Sequence, residues 1–348
     1  MIRLKSMLLA LVVALIAISC DENEPTAPID AEKGFLILSE GAFGSGNASL
    51  SYFSYADSSI ENDVFYNTNN FDLGDQAQGL TSYDDKVFIT VQNSAKVEVI
   101  NSGDFTSVTT IDTLLLKPRY TFAGSEGVFI TDWVDGYNGN IKKYDAVTYE
   151  FVDSVSTGSG PAKPSLVNGK IWVPNGGGYS TDSTISIYDT DLNFVKEIES
   201  GINPLFVIED KSGDIWVMCK GKSWPESDTR KSSVFKYDDQ GNFIEKIDGI
   251  DGQYFNSLAY DQANDKIYLG TSSGIHVLDT QSGNLTQDKI SVSGVYGLGF
   301  DTVNNWILVA VSTGFTTNGE VHIFNSDGSF VKKATVGIGP NGFLYVEK

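Results

Sequence analysis

The stretch Lys266-Ile267-Tyr268-Leu269-Gly270, after a turn at Asn264-Asp265, leads through Ser272-Ser273-Gly274 into Ile275-His276-Val277-Leu278. It reads as two short strands joined by a polar turn. The same figure is written seven times. Its first runs are Phe35-Leu36-Ile37-Leu38, Val87-Phe88-Ile89-Thr90, Val128-Phe129-Ile130-Thr131, Ile171-Trp172-Val173, Ile215-Trp216-Val217, Ile267-Tyr268-Leu269 and Ile307-Leu308-Val309. Their starts lie 52, 41, 43, 44, 52 and 40 residues apart. The second runs end at Phe53, Ile100, Tyr144, Tyr188, Tyr237, Leu278 and Phe324, mostly before turn formers such as Asp189-Thr190 and Asp238-Asp239. A repeat of about 40–50 residues holding several short strands is the pattern of a propeller blade.

The ends of the chain complete the pattern. The first copy starts at its apolar run with no strand before it, and the last is followed by a surplus strand, Asn341-Gly342-Phe343-Leu344-Tyr345-Val346. That strand is expected to become the inner strand of the first blade, so that the ring closes without a free edge. The expected fold is therefore all-β, a seven-bladed β-propeller over 34–348. Two spacings of 52 are read as loop insertions at 65–78 and 221–231, and no segment after Gly34 has sustained helical periodicity. Function in such a ring belongs on the loops at the ends of the central channel.

The first residues are of another kind. Arg3 and Lys5 precede an apolar stretch, Met7 to Ile18, which ends at Ala17-Ile18-Ser19-Cys20. The stretch is short for a membrane span and fits a secretory signal. Residues 1–19 are expected to be removed, with Cys20 lipidated at the new N-terminus and 20–33 serving as a tether. Losing Arg3 and Lys5 takes the formal charge from −21 to −23. So acidic a chain repels nucleic acid, whose binding rests on neutralising phosphates. Cys219 is then the one remaining cysteine, so no disulfide forms within the chain and a small buried hydrophobe is expected there.

One channel mouth is built from the loops that follow each first run and the loops that lead into each inner strand. Here these are rich in Gly, Ser, Thr and Asn, with an aromatic residue in most. The candidate ligand-binding residues are Phe43, Asn93, Arg119, Tyr120, Trp133, Tyr137, Lys163, Asn175, Tyr179, Trp224, Tyr254, Tyr296, Phe315 and Asn341. Rigid aromatic rings among adaptable polar side chains suit a large amide- or hydroxyl-bearing ligand better than a small ion. Arg119 and Lys163 are the candidates for a phosphate group. For any single residue the alternative is a ring covering a blade edge or a solvated charge.

Catalytic signals are thin. His276 and His322 occupy one column of adjacent copies within strands, a pattern of repeat packing, and no catalytic triad with a loop histidine can be assembled. Glu40, Asp132 and Asn175 lie near the ends of three first runs and invite comparison with calcium-dependent propeller hydrolases. The matching columns elsewhere hold Val91, Cys219, Thr271 and Val311, so the ring of ligands is incomplete. No catalytic or metal-binding residue and no catalytic cofactor is assigned; a hydrolase and a protein-binding scaffold are the alternatives to ligand capture.

From Phe35-Leu36-Ile37-Leu38-Ser39-Glu40-Gly41-Ala42-Phe43-Gly44 through Ala48-Ser49-Leu50-Ser51-Tyr52-Phe53 the chain resembles the YncE-like, surface-layer-type propeller lipoproteins of Bacteroidetes. Asp21-Glu22-Asn23-Glu24 resembles the acidic tag that directs such lipoproteins to the cell exterior; Ala17 departs from the leucine usual before their lipidated cysteine. In layout the chain is similar to BtuG-type members. That resemblance implies an outer-membrane, surface-exposed, non-enzymatic protein that captures cobalamin or a related corrinoid as ligand and passes it to a TonB-dependent outer-membrane transporter.

Overall fold

The computed structural model of the chain describes residues 33–222, 230–287 and 290–347. Twenty-eight strands form seven four-stranded antiparallel sheets. Blade 1 is ordered, from the channel outward, Pro340–Glu347, Lys33–Ser39, Ser49–Ser54 and Ile60–Glu61. The C-terminal strand thus closes the ring, with Phe35 opposite Tyr345, Ile37 opposite Phe343 and Leu38 opposite Gly342. Blades 2 to 7 begin at the inner strands Ala77–Tyr83, Pro118–Gly124, Ser165–Val167, Pro204–Glu209, Ser257–Asp261 and Val295–Asp301. The all-β seven-bladed fold expected from the repeat is the fold observed.

The first runs are continuously apolar because each sheet is covered on both faces. In blade 1, Leu36, Leu38 and Leu50 pack toward Val87, Ile89 and Val91 of blade 2. The alternate residues Phe35, Ile37 and Phe53 pack toward Leu308, Val321 and Ile323 of blade 7. Two-residue alternation therefore sends successive side chains to two different interblade cores. Phe343 of the closing strand meets the Phe35 ring edge-on at 6.1 Å, and Phe35 stacks on Phe53 at 4.7 Å, so aromatic packing runs across the seam. Cys219 is fully buried, and that burial pushes its thiol pKa up to about 12.

The turns between outer strands repeat one device. The Asp189 and Asp238 carboxylates each accept backbone N–H groups two and four residues on, with Asn193 and Asn242 donating from their side-chain amides. Three details differ from expectation. The first strand begins at Lys33, one residue earlier than placed. The first insertion holds a short helix, Val64–Asn69, whose Val64 and Phe65 are buried, and its last residues already belong to the inner strand of blade 2. It has only two apolar anchors, too few to write a helical period into the sequence. The second insertion leaves the blade through a backbone bridge between Lys222 and Arg230; Trp224 lies outside the described residues, as does Cys20.

Candidate functional site

A cavity of about 760 Å³ opens at the centre of the ring. Its upper wall receives a side chain from every blade as the inner strands begin: Gln78, Arg119, Lys163, Asn203, Asn256, Tyr296 and Asn341 all line it. A recurrent backbone irregularity lies beside them. The pairing register shifts at Gln78, Arg119, Leu205, Tyr296 and Asn341, each a bulged residue just inside a strand start. Bulges bend a strand and re-aim the extra side chain. Below them the cavity is lined from the strands themselves, by Tyr120, Phe206, Tyr260 and Phe343 among others.

Neighbouring inner strands come close, and glycine permits it. A Cβ at Gly297 would lie 2.4 Å from the Asn341 carbonyl oxygen, and one at Gly79 would lie 3.0 Å from the Tyr120 ring. Amides latch the ring at the same level: Asn341 Nδ2 donates to the Ala77 carbonyl at 2.8 Å, and Asn256 Nδ2 to the Val295 carbonyl at 2.8 Å. Both bonds join adjacent blades, so these amides hold the ring; Asn256 Oδ1 accepts from Ser257 Oγ at 2.9 Å, and Asn341 Oδ1 is buried with no partner.

The blade 3 wall is aromatic and cationic. Arg119 stands 4.2 Å from the Trp133 ring centre and hydrogen-bonds Gln92 Oε1. Trp133 is fixed by donating Nε1–H to the Pro161 carbonyl at 2.9 Å, and Tyr179 meets it edge-on at 6.0 Å, with Tyr137 5.9 Å beyond. Trp133 sits on a tight turn because buried Asp132 accepts the N–H groups of Leu116 (2.9 Å), Lys117 (2.6 Å) and Val134 (3.3 Å) while pairing with buried Lys142. The turn places β-branched Val134 at φ 32, in the left-handed region that such residues avoid. Asp132 is therefore committed to holding this wall.

On the opposite side, buried Glu40 accepts from Tyr296 Oη at 2.6 Å, Gln78 Nε2 at 2.7 Å and Gln76 Nε2 at 3.2 Å. Burial, and then the Glu40 charge, raise the Tyr296 phenol pKa, so this ring stays neutral and donates. Lys163 and Lys220 are accessible to water filling the cavity yet ringed by protein on all sides. That surrounding lowers both ammonium pKa values below the ordinary lysine value, with Arg119 adding to the effect on Lys220.

Of the residues expected from sequence, the structure gathers Arg119, Tyr120, Trp133, Lys163, Tyr296 and Asn341 around the cavity. Phe43, Tyr137, Tyr179 and Phe315 stand exposed on the loops around it, Phe315 edge-on to Tyr296 at 5.6 Å. Asn93 ties two loops together through Asp75, and Asn175 is fully buried, donating to Thr184 and Ser186. Tyr254 is half-buried and away from the cavity lining. Sequence reasoning passed over Lys220, Gln78, Phe206, Tyr260 and Phe343. Period-two alternation within the inner strands would have found the last three.

Fold and cavity define a closed seven-bladed propeller with a polar, aromatic-walled channel mouth. The chain belongs to the DUF5074 family, a domain of unknown function whose family model matches residues 33–339. No curated protein matches it. Among solved structures it is similar to a candidate 6-phosphogluconolactonase of Bacteroides fragilis, at 12% identity and TM-score 0.68 over 92% of this chain and 99% of that one. It is also similar to a quinonprotein alcohol dehydrogenase-like protein of Bacteroides thetaiotaomicron (11%, 0.67, 90% and 78%). A functionally unknown protein of Desulfotomaculum acetoxidans is alike to the same degree (12%, 0.67, 90% and 99%). At such identities the likeness carries the fold alone.

Proposed function

We propose that this protein is a non-enzymatic, lipid-anchored surface receptor that captures cobalamin or a related corrinoid at the channel mouth and hands it to a TonB-dependent outer-membrane transporter. The observation that carries the reading is the ring of inward side chains, one per blade, opening into a cavity of about 760 Å³. Its volume falls within the range of about 300–1,000 Å³ usual for organic ligands. The mixture of amides, hydroxyls and aromatic faces at its rim matches a bulky ring carrying many side-chain amides. The exposed rings of Phe43, Tyr137 and Tyr179 extend this surface beyond the cavity, as a ligand too large to enter whole requires. Anchoring through Cys20 would keep the receptor beside its transporter and raise the local concentration for transfer. The corrinoid is cargo; the reading needs no catalytic cofactor.

Titration calorimetry of the chain from Asp21 onward with cyanocobalamin tests the proposal. Saturable one-to-one heat that Trp133→Ala weakens by about tenfold or more supports it. Absence of heat, together with turnover of a lactone or ester panel, would replace it with a hydrolytic role.

A further inference from the structure

We propose that Arg119, Lys163 and Lys220 form an anion subsite within the channel that takes a phosphate ester of the captured ligand. The inference rests on the channel being the ligand site, and it names a chemistry for one side of that site. In a chain of formal charge −21, one cavity is lined by Lys222, which is engaged with a partner of its own, and by the three cations named above. They come from consecutive blades: Arg119 from the bulge in blade 3, Lys163 from the segment leading into Ser165–Val167, and Lys220 from the residue after Ile215–Cys219.

Among the described residues their charges are uncompensated. Among the described residues no carboxylate lies within ion-pair distance of any of the three, and the Lys163 and Lys220 ammonium groups make no hydrogen bond to protein. The nearby acids are spent elsewhere. Glu40 serves Gln76, Gln78 and Tyr296, Asp132 serves Lys142 and three backbone amides, and Asp182 accepts from Ser159, Ser183 and Thr184. The guanidinium of Arg119 is held in place by Gln92 and the Trp133 face, while its buried Nε finds no partner. Like charges held together without counter-charge raise the energy of the empty site, and a bound anion removes that cost. Desolvation lowers the pKa of both lysines, and at Lys220 the Arg119 charge lowers it further.

Phosphate is favoured over a carboxylate because three donors from three blades can surround a tetrahedral oxyanion, with arginine offering a planar fork. The acidic exterior repels large polyanions, and the recessed cations focus attraction on a ligand that can enter the channel. The shared chemistry is a phosphate oxyanion, whether free or esterified.

Two experiments on the chain from Asp21 test this. In the first, the protein is treated with pyridoxal 5′-phosphate, reduced with borohydride and mapped by peptide mass. Lys163 and Lys220 should be modified several-fold in preference to the other described lysines, and pyridoxal without the phosphate should show no such preference. Uniform modification, or equal selectivity by pyridoxal, overturns the subsite. Suppression by inorganic phosphate as strong as by an ester identifies free phosphate as the ligand of the same subsite. In the second, cyanocobalamin is compared with cobinamide, which lacks the nucleotide and its phosphodiester. Lys163→Gln with Lys220→Gln should reduce the preference for cyanocobalamin by about tenfold; an unchanged preference, with the variant folded by circular dichroism, refutes phosphoester recognition. If cyanocobalamin does not bind but the two lysines are selected, the corrinoid reading falls and the anion subsite stands.

Discussion

Replacing Asp132 with alanine tests the reasoning that joins this fold to its site. The carboxylate is fully buried, and its partner Lys142 is buried almost as deeply. Removing the acid leaves an ammonium with no counter-charge and only the Leu114 carbonyl as a partner. Three backbone N–H groups, of Leu116, Lys117 and Val134, lose their acceptor as well. Breaking one half of a buried pair costs about 3–5 kcal/mol, so Asp132→Ala is expected to lose about 4 kcal/mol. An unfolding entropy of about 2.1 cal/mol/K per residue, over the 306 described residues, gives about 0.64 kcal/mol/K. The thermal midpoint should therefore fall by about 6 °C by differential scanning calorimetry. Because the same carboxylate holds the turn that presents Trp133, ligand affinity should fall with it. Adding Lys142→Met, which removes the stranded charge, should recover more than half of the lost stability. A midpoint within about 1 °C of wild type for Asp132→Ala, or no recovery in the double variant, would refute the assignment of Asp132 as the strut of this wall.

Two further outcomes are expected. Ending the chain after Gly339 removes the strand that pairs with Lys33–Ser39, including buried Val346, and exposes the edge of blade 1. The truncated protein should lose its cooperative melting transition and aggregate; a sharp melt at the wild-type temperature would show that the ring does not depend on the C-terminal strand. Anion binding should weaken at a pH below the 10.5 ordinary for lysine. The folded Lys163 and Lys220 have lowered pKa values and deprotonate before free lysine does, whereas a bound anion favours their charged forms. Unliganded stability should correspondingly rise with pH from the lowered pKa values up to about 10.5, where the unfolded lysines also release their protons. Calorimetry across that range reads the effect, and a flat profile to pH 10.5 would contradict it.

The site was less legible than the fold, for reasons visible in single residues. Arg119, Lys163, Tyr296 and Asn341 could be placed at the mouth because each stands just before or within an inner strand, a position the repeat defines. Asn93 and Asn175 stand on loops of the same mouth, yet their side-chain N–H groups donate to Asp75, Thr184 and Ser186. Side-chain type alone does not tell a cavity-lining amide from a latching one; the neighbouring loop does. Asp132 and Glu40 looked like members of an acidic ring, but Lys142 comes from the third strand of blade 3 and Tyr296 from a blade 256 residues away in sequence. Lys220 was hidden by its place at the foot of an insertion.

The linear pattern alone determined the blade count and the closure. Those follow from alternation and spacing, which short-range sterics and burial impose on every copy in the same way. What only the tertiary structure decided is which charges are spent and which are free. Asp132 is paired with Lys142 of the neighbouring strand in its own blade and Glu40 accepts from Tyr296 of a distant copy, while Arg119, Lys163 and Lys220 line one cavity from three blades with no acid within ion-pair distance among the described residues. Electrostatic energy depends on distance through space rather than along the chain, and ring closure sets those distances.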